Sequence, residues 1–216
     1  MSLFGTLSYL RSACRKVKSP FFGTLIRHAW FRLNGRNLFT SNRVSIHGLS
    51  NILIDGVLRV GLDYVGFMDA KDRTLLRING QLRVSDSFSI GKGCRLDIGK
   101  DAILTVSSGY INPNTTLVIM HGMTLGRGCA VSWGCQFLDE DFHSISFDGK
   151  KNTGDNPITV GDHVWIGSNV TVLKGSRIPS GTVVAAGSVV NAQFTEENTL
   201  IAGVPARVIR RNVSWA

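Results

Sequence analysis

The chain has 216 residues, 43% of them hydrophobic and 18% charged, with a mean hydropathy of +0.10. That is enough for one domain with a sizeable core plus an appendage, and it excludes low-complexity disorder. The net charge of +9 is confined to one end: residues 1–54 hold eight Lys/Arg and no acid, whereas sixteen basic and fifteen acidic residues follow. A basic end on a near-neutral body does not call for a nucleic-acid partner.

Residues 1–43 form the basic appendage and are expected to be partly helical. Arg11, Arg15, Lys16, Lys18, Arg27, Arg32, Arg36 and Arg43 are interspersed there with Phe21, Phe22, Leu25, Ile26, Trp30 and Phe31. This composition suits either peripheral contact with an anionic membrane or a cap over the core. No uncharged run approaches the roughly 18–20 residues of a membrane span. The opening MSLFGTLSYL precedes its basic cluster, the reverse of a secretory signal. The expected location is cytoplasmic, at most at the inner face of a membrane.

From residue 44 to 211 a different rule governs the apolar residues. Ile78, Val84, Ile90 and Leu96 are six apart; so are Ile119, Leu125, Val131 and Phe137, and then Val160, Ile166, Val172, Ile178, Val184 and Val190. Small or β-branched residues such as Val164, Val170, Ser176, Thr182 and Ser188 recur four positions after an anchor. Residues 44–76 and 97–118 keep the pattern loosely, with Ile98 and Leu104 fitting a shifted frame. Residues 138–159, LDEDFHSISFDGKKNTGDNPIT, contain no anchor and read as a loop expelled from one corner. Loops beyond about 12–15 residues in a compact domain are usually functional. The pattern stops at NAQFTEEN, after which LIAGVPARVIR suggests one strand and residues 212–216 a short tail. Cys14, Cys94, Cys129 and Cys135 show no metal-ligand spacing and are expected to be reduced core fillers.

A period of six is neither the 3.6 of a helix nor the 2 of a half-buried hairpin strand. It fits a short strand followed by a tight corner, three such sides closing one coil of about 18 residues. Stacked about 4.8 Å apart, the coils bond to one another as parallel strands. The expected fold is therefore all-β, a parallel β-solenoid with Val160 under Ile178, Ile166 under Val184 and Val172 under Val190.

Three segments, DEDFHSI (139–145), PITVGDHVWIGSNVTVLKGSRIPSGTVVAAGSVV (157–190) and IAGVPARVIR (201–210), make residues 78–211 resemble the hexapeptide-repeat acyltransferases, closest to their galactoside/maltose and capsular or lipopolysaccharide O-acetyltransferase branch. The resemblance implies a left-handed parallel β-helix, acetyl-CoA as acyl donor, no metal, a homotrimer with grooves between neighbouring solenoids, and a sugar of a surface polysaccharide or its precursor as acceptor. N-acetylation of an amino-sugar nucleotide and acetylation of a small metabolite such as serine use the same donor groove. A zinc hydro-lyase and a non-catalytic scaffold share only the repeat.

O-acetyl transfer from a thioester requires a base for the acceptor hydroxyl, two substrates held in attack geometry and a donor for the developing oxyanion. Five histidines, His28, His47, His121, His143 and His163, compete for the role of base. Only His143 lies in the expelled loop, beside Asp139, Glu140 and Asp141, and the resemblance places the family's base there. Asp141 or Asp139 is expected to orient the ring by triad logic. His163, beside Asp162 at a corner, reads as a turn residue. By resemblance, Ser168, Ala186 and Gly187 line the coenzyme groove, and Arg207 and Arg210 meet its phosphates, for which a guanidinium fork is suited. Trp165 points outward, for the groove wall or for packing between subunits, Trp133 is assigned to a sugar platform, and Asn112 to the acceptor by its match to a family asparagine.

Overall fold

The computed structural model describes residues 3–63, 69–144, 146–148, 150–151 and 157–216. Residues 64–68 of the expected loose coils, and 145, 149 and 152–156 of the expelled loop, lie outside them.

The appendage is two helices, α1 (Leu3–Val17) and α2 (Phe21–Leu33). Arg15 and Lys16 sit in the last turn of α1, where cations favour the carbonyl end of a helix. Gly35, at φ +73, stops α2 in the left-handed conformation that glycine adopts without a Cβ penalty. Leu10, Ala13, Cys14 and Val17 of α1 are buried with Phe39 and Leu62, while Phe31 of α2 enters the main core beside Leu38. Lys92, only 1% exposed, donates from Nζ to the carbonyls of Val17 (3.0 Å) and Ala70 (3.2 Å) and so ties the end of α1 to the solenoid.

The solenoid begins earlier than the expected residue 44. Leu38–Thr40 already pairs in parallel with Val57–Val60, because Leu38 and Phe39 have cores on both sides to fill, the solenoid's and the helices'. Strands then alternate among three faces. The first face runs from Leu38–Thr40 through Trp165–Ile166 and Val183–Val184 to a terminal hairpin, Leu200–Gly203 with Ala206–Arg210, in place of the single strand expected there. The second runs from Val44–His47 through Gln136–Leu138 and Thr171–Leu173 to Val189–Val190, and the third from Ile52–Ile54 through Ile158–Val160 to Arg177–Ile178. Among the described residues every pairing between coils is parallel; the terminal hairpin is antiparallel.

The expected stacking is found: Val160 on Ile178, Ile166 on Val184, Val172 on Val190. All fourteen six-step anchors are at most 2% exposed. The loose frame at 97–118 comes from longer corners. Leu96 stacks on Leu117 and Leu82 on Leu104, each a longer step along the chain than that from Val160 to Ile178. Across the expelled loop Phe137 stacks directly on Val172, so the insertion leaves the coil closed. The four cysteines are free and buried. The thiols of Cys129 and Cys135 donate to the carbonyls of Gly161 and Gly167 one coil on (3.1 Å each), and burial pushes both pKa values up to about 11.

His28 joins α2 to the first strand. Its ring stacks on Phe39 (3.8 Å between centroids) and its Nδ1 donates to the Leu38 carbonyl at 2.9 Å. Burial holds its pKa below the ordinary 6.5, and Arg32 adds to the effect. The unfolded chain therefore binds the proton more readily, so stability should fall as pH drops below about 6.5. Thermal melts from pH 7.5 to 5 should show this loss, and His28→Gln should reduce it.

Candidate functional site

The loop carrying His143 leaves the corner between the second and third faces. Leu138 still belongs to a second-face strand and Ile158 and Thr159 to a third-face strand, so the loop is shorter at both ends than the expected 138–159, and its first residue, Asp139, is 0% exposed. The Asp139 carboxylate accepts from the backbone N–H groups of Met120 (2.6 Å), His121 (2.9 Å) and Gly122 (2.8 Å), the turn of the coil below. Glu140 accepts from the ring of His121 (2.7 Å) and from the N–H groups of Asp141 and Phe142 (2.8 Å each), which holds its carboxyl below the usual carboxylate range. That turn fixes Phe142 at φ +59, a left-handed conformation costing a bulky residue about 1–2 kcal/mol. From above, Lys174 Nζ meets the Asp141 carboxylate at 2.5 Å. His143 follows, exposed, with Nδ1 at 3.3 Å from the Asp141 backbone carbonyl. A carbonyl can only accept, so Nδ1 is the donor in this contact, and in a neutral ring Nε2 is then the acceptor.

The orienting role expected of the acids is therefore distributed differently. Asp139 does not reach the His143 ring: both its oxygens serve buried amides, whose desolvation would otherwise be costly. The Asp141 side chain is engaged by Lys174, and its main chain, not its carboxylate, meets the imidazole.

A second group of expected residues gathers at the corner between the first and second faces. Successive coils stack there through Gly134 N–H to Pro113 O (3.0 Å), Asn169 N–H to Trp133 O (3.0 Å) and Gly187 N–H to Ser168 O (2.9 Å). Asn112, Trp133, Ser168 and Ala186 thus mark one ascending edge. Ala186 and Gly187 are exposed, and a Cβ placed on Gly187 would meet nothing within 4 Å. The edge is consequently open along its upper half to an extended chain that bonds with backbone groups. Lower down, Asn112 lines a cleft of about 170 Å³ with Asp63, Ser89 and Tyr110. The Asp63 carboxylate there accepts from the hydroxyls of Ser89 and of Tyr9 on α1.

The terminal hairpin closes the top of this edge, with the Gly203 N–H donating to Ser188 Oγ (3.2 Å). Arg207 pairs with Ala202 next to the hairpin's tip, whereas Arg210 lies at the far end of the strand opposite Leu200; both are exposed. Trp165 lies on the first face and donates from Nε1 to Ser132 Oγ (3.2 Å). Residues 212–216 are not a loose tail. Val213 donates to Asn198 O (2.8 Å), and Trp215 stacks on His163 (4.1 Å, 6°) and lies 6.2 Å from Trp165. His163, at φ +54, occupies the corner expected of it.

Within one chain, the residues expected at the base and those expected at the donor groove occupy different corners, with the second face between them. That side carries about six residues, roughly 20 Å of extended chain, whereas attack geometry needs reacting atoms about 3–3.5 Å apart. Sequence reasoning missed Lys174, the His121–Glu140 pair and Trp215. Lys174 carries a signal only once the stacking of Leu138 on Leu173 is known, which sets it above the root of the loop; the other contacts are long-range. Among the described residues, no group of three His, Cys, Asp or Glu side chains is placed to hold a metal ion.

No family model matches the chain. It is 42% identical over 212 residues to an uncharacterised 24.8 kDa protein in the cps region of Klebsiella pneumoniae, covering 97% of this chain and 95% of that one. It is 31% identical over 147 residues to WbbJ, a putative lipopolysaccharide biosynthesis O-acetyl transferase of Escherichia coli K12, covering 63% and 74% of the two chains. Among solved structures, an N-acyltransferase from Bacillus cereus in complex with dTDP and coenzyme A shares the fold at a TM-score of 0.53, with 18% identity over 82% of this chain and 81% of that one.

Proposed function

This chain belongs to the hexapeptide-repeat O-acetyltransferases, enzymes with a left-handed parallel β-helix, and from that membership we propose that it moves the acetyl group of acetyl-CoA to a hydroxyl of a sugar in a surface polysaccharide or its precursor. The relative in lipopolysaccharide biosynthesis and the one in a cps region support the acceptor class. The Bacillus cereus enzyme holds coenzyme A on the same fold, and the open edge at Ser168, Ala186 and Gly187 has room for such an arm.

The observation that carries the mechanism is the state of His143: an exposed imidazole whose Nδ1 is committed to a carbonyl, on a loop gripped from below by Asp139 and from above by Lys174. Nε2 takes the proton of the acceptor hydroxyl as its oxygen attacks the thioester carbonyl. Collapse of the adduct expels the coenzyme thiolate, which recovers that proton from the imidazolium, and the acetyl ester leaves on the sugar. No covalent enzyme intermediate is needed. Arg207 and Arg210 serve the coenzyme phosphates, and Trp165 forms part of the groove wall. Trp133 and Asn112 face the acceptor, which lies at lower coils than the donor.

Because the two corners are apart in one chain, the working site joins the loop of one copy to the edge of the next, as a closed trimer allows. The uncharged, half-buried row Val118, Leu138 and Leu173 on the second face suits packing against a neighbour.

The test is incubation with acetyl-CoA and capsular or lipopolysaccharide oligosaccharides, following free thiol and product. Thiol release that depends on the acceptor, with an alkali-labile ester formed, is expected. An alkali-stable amide would move the activity to amino sugars. Absence of both turnover and coenzyme binding would remove the transferase reading.

A further inference from the structure

The outer face of α2 is its most apolar one. Phe22, Ile26, Trp30 and Leu33 fall at positions i, i+4, i+8 and i+11, a single stripe, and are 75, 70, 52 and 87% exposed. The opposite face, Thr24, His28 and Phe31, is the buried one. A soluble helix normally shows its polar side to water, and a contiguous exposed apolar row marks a contact surface. Phe4, at the start of α1, is 87% exposed as well.

The chemistry beside the stripe is cationic. A groove of about 480 Å³ lies between α1 and the start of α2, lined by Arg11 and Arg15 together with Ser8, Ser12, Ser19 and Phe21. Arg11 and Arg15, one helical turn apart, are both exposed, as are Lys16, Lys18 and Arg32. No carboxylate side chain occurs before Asp55. A second copy laid on this face by a two-fold axis would bring cations against cations. Guanidinium and hydroxyl donors next to an apolar helix face instead match phosphate headgroups above acyl chains. No helix among the described residues is long and apolar enough to cross a membrane, and a helix of 13 residues spans roughly 20 Å, suited to lying flat in the interface.

We propose that α1 and α2 form an interfacial anchor for an anionic lipid surface, the α2 stripe entering the acyl boundary and Arg11 and Arg15 binding lipid phosphate. The anchor stands at the solenoid's N-terminal end, and Tyr9 of α1 also bonds to Asp63 in the cleft lined by Asn112. A membrane-linked acceptor is thereby presented to the lower coils. The anchor is independent of the transfer chemistry, and its failure would leave that reading intact.

The test is flotation of the full chain with phosphatidylglycerol–phosphatidylcholine vesicles, alongside vesicles of phosphatidylcholine alone. Binding is expected only with the anionic lipid, with a blue shift of Trp30 emission that is absent in Trp30→Phe. It should weaken as salt rises from about 0.1 to about 0.5 M. Replacing Phe22, Ile26, Trp30 and Leu33 together by serine, or Arg11 and Arg15 together by serine, should each reduce binding roughly tenfold or more, while turnover of a soluble acceptor is unchanged. Equal binding to neutral vesicles, no binding by the parent chain, or unaltered binding by both variants would overturn the anchor. So would sedimentation showing that the serine stripe dissociates an oligomer, because the face would then belong to a second copy.

Discussion

His143→Ala is expected to lower kcat/KM for acetyl transfer by about 10²–10⁴-fold while leaving the melting temperature unchanged. The stability half of this result follows from exposure: the ring's bond to the Asp141 carbonyl is long, at 3.3 Å, and exposed, so truncation opens no cavity. The activity half follows from the proposal that the His143 imidazole receives the hydroxyl proton. A non-catalytic solenoid would show no change at all.

The same variant tests whether the site is shared between copies. Ala186→Trp would fill the edge proposed to hold the acetyl donor and should be inactive for a different reason. Co-refolded in equal amounts, the two inactive chains should recover roughly a quarter of wild-type sites by random assortment around a ring. No recovery would mean that loop and edge act within one chain.

Asp139→Asn is the second large effect. Three backbone N–H groups converge on two carboxylate oxygens in a fully buried position. The amide keeps one acceptor oxygen and turns an NH₂ toward donors, so at least one buried N–H loses its partner. The expected cost is about 2–4 kcal/mol in urea unfolding, the usual range for a broken buried network around a charge. Activity should fall as well, because the turn at 120–122 is what holds the root of the loop. In contrast, Asp141→Ala breaks a half-exposed pair with Lys174, a contact of the kind worth about 0–1 kcal/mol. Equal stability of the Asp139 and Asp141 variants would show that the buried carboxylate is not the anchor of the loop.

The repeat was legible because each coil poses the same steric problem. A side chain at every sixth position faces a narrow triangular interior, so Val, Ile, Leu and Phe recur there and no long-range knowledge is needed to see them. The expelled loop was legible as a gap in that pattern, and His143 as the histidine within it. The acids beside it were not separable by sequence. Asp139 and Asp141 are near neighbours and chemically identical, yet one is sealed against the turn of the coil below and the other meets Lys174 of the coil above.

By itself the sequence determined the three-sided parallel solenoid, its stacking register from Val160 onward and the identity of the loop, since these depend on which residues face the core and that is a local, periodic property. The rest came from contacts in three dimensions: that the loop and the edge at Ser168 and Ala186 stand on different corners, that Trp215 straps back onto His163, that Lys92 is buried beneath α1, and that α2 turns its apolar stripe outward. Each of these depends on the summed lengths of unequal coils or on contacts between distant segments, and no periodicity in the chain encodes which distant segment a side chain will meet.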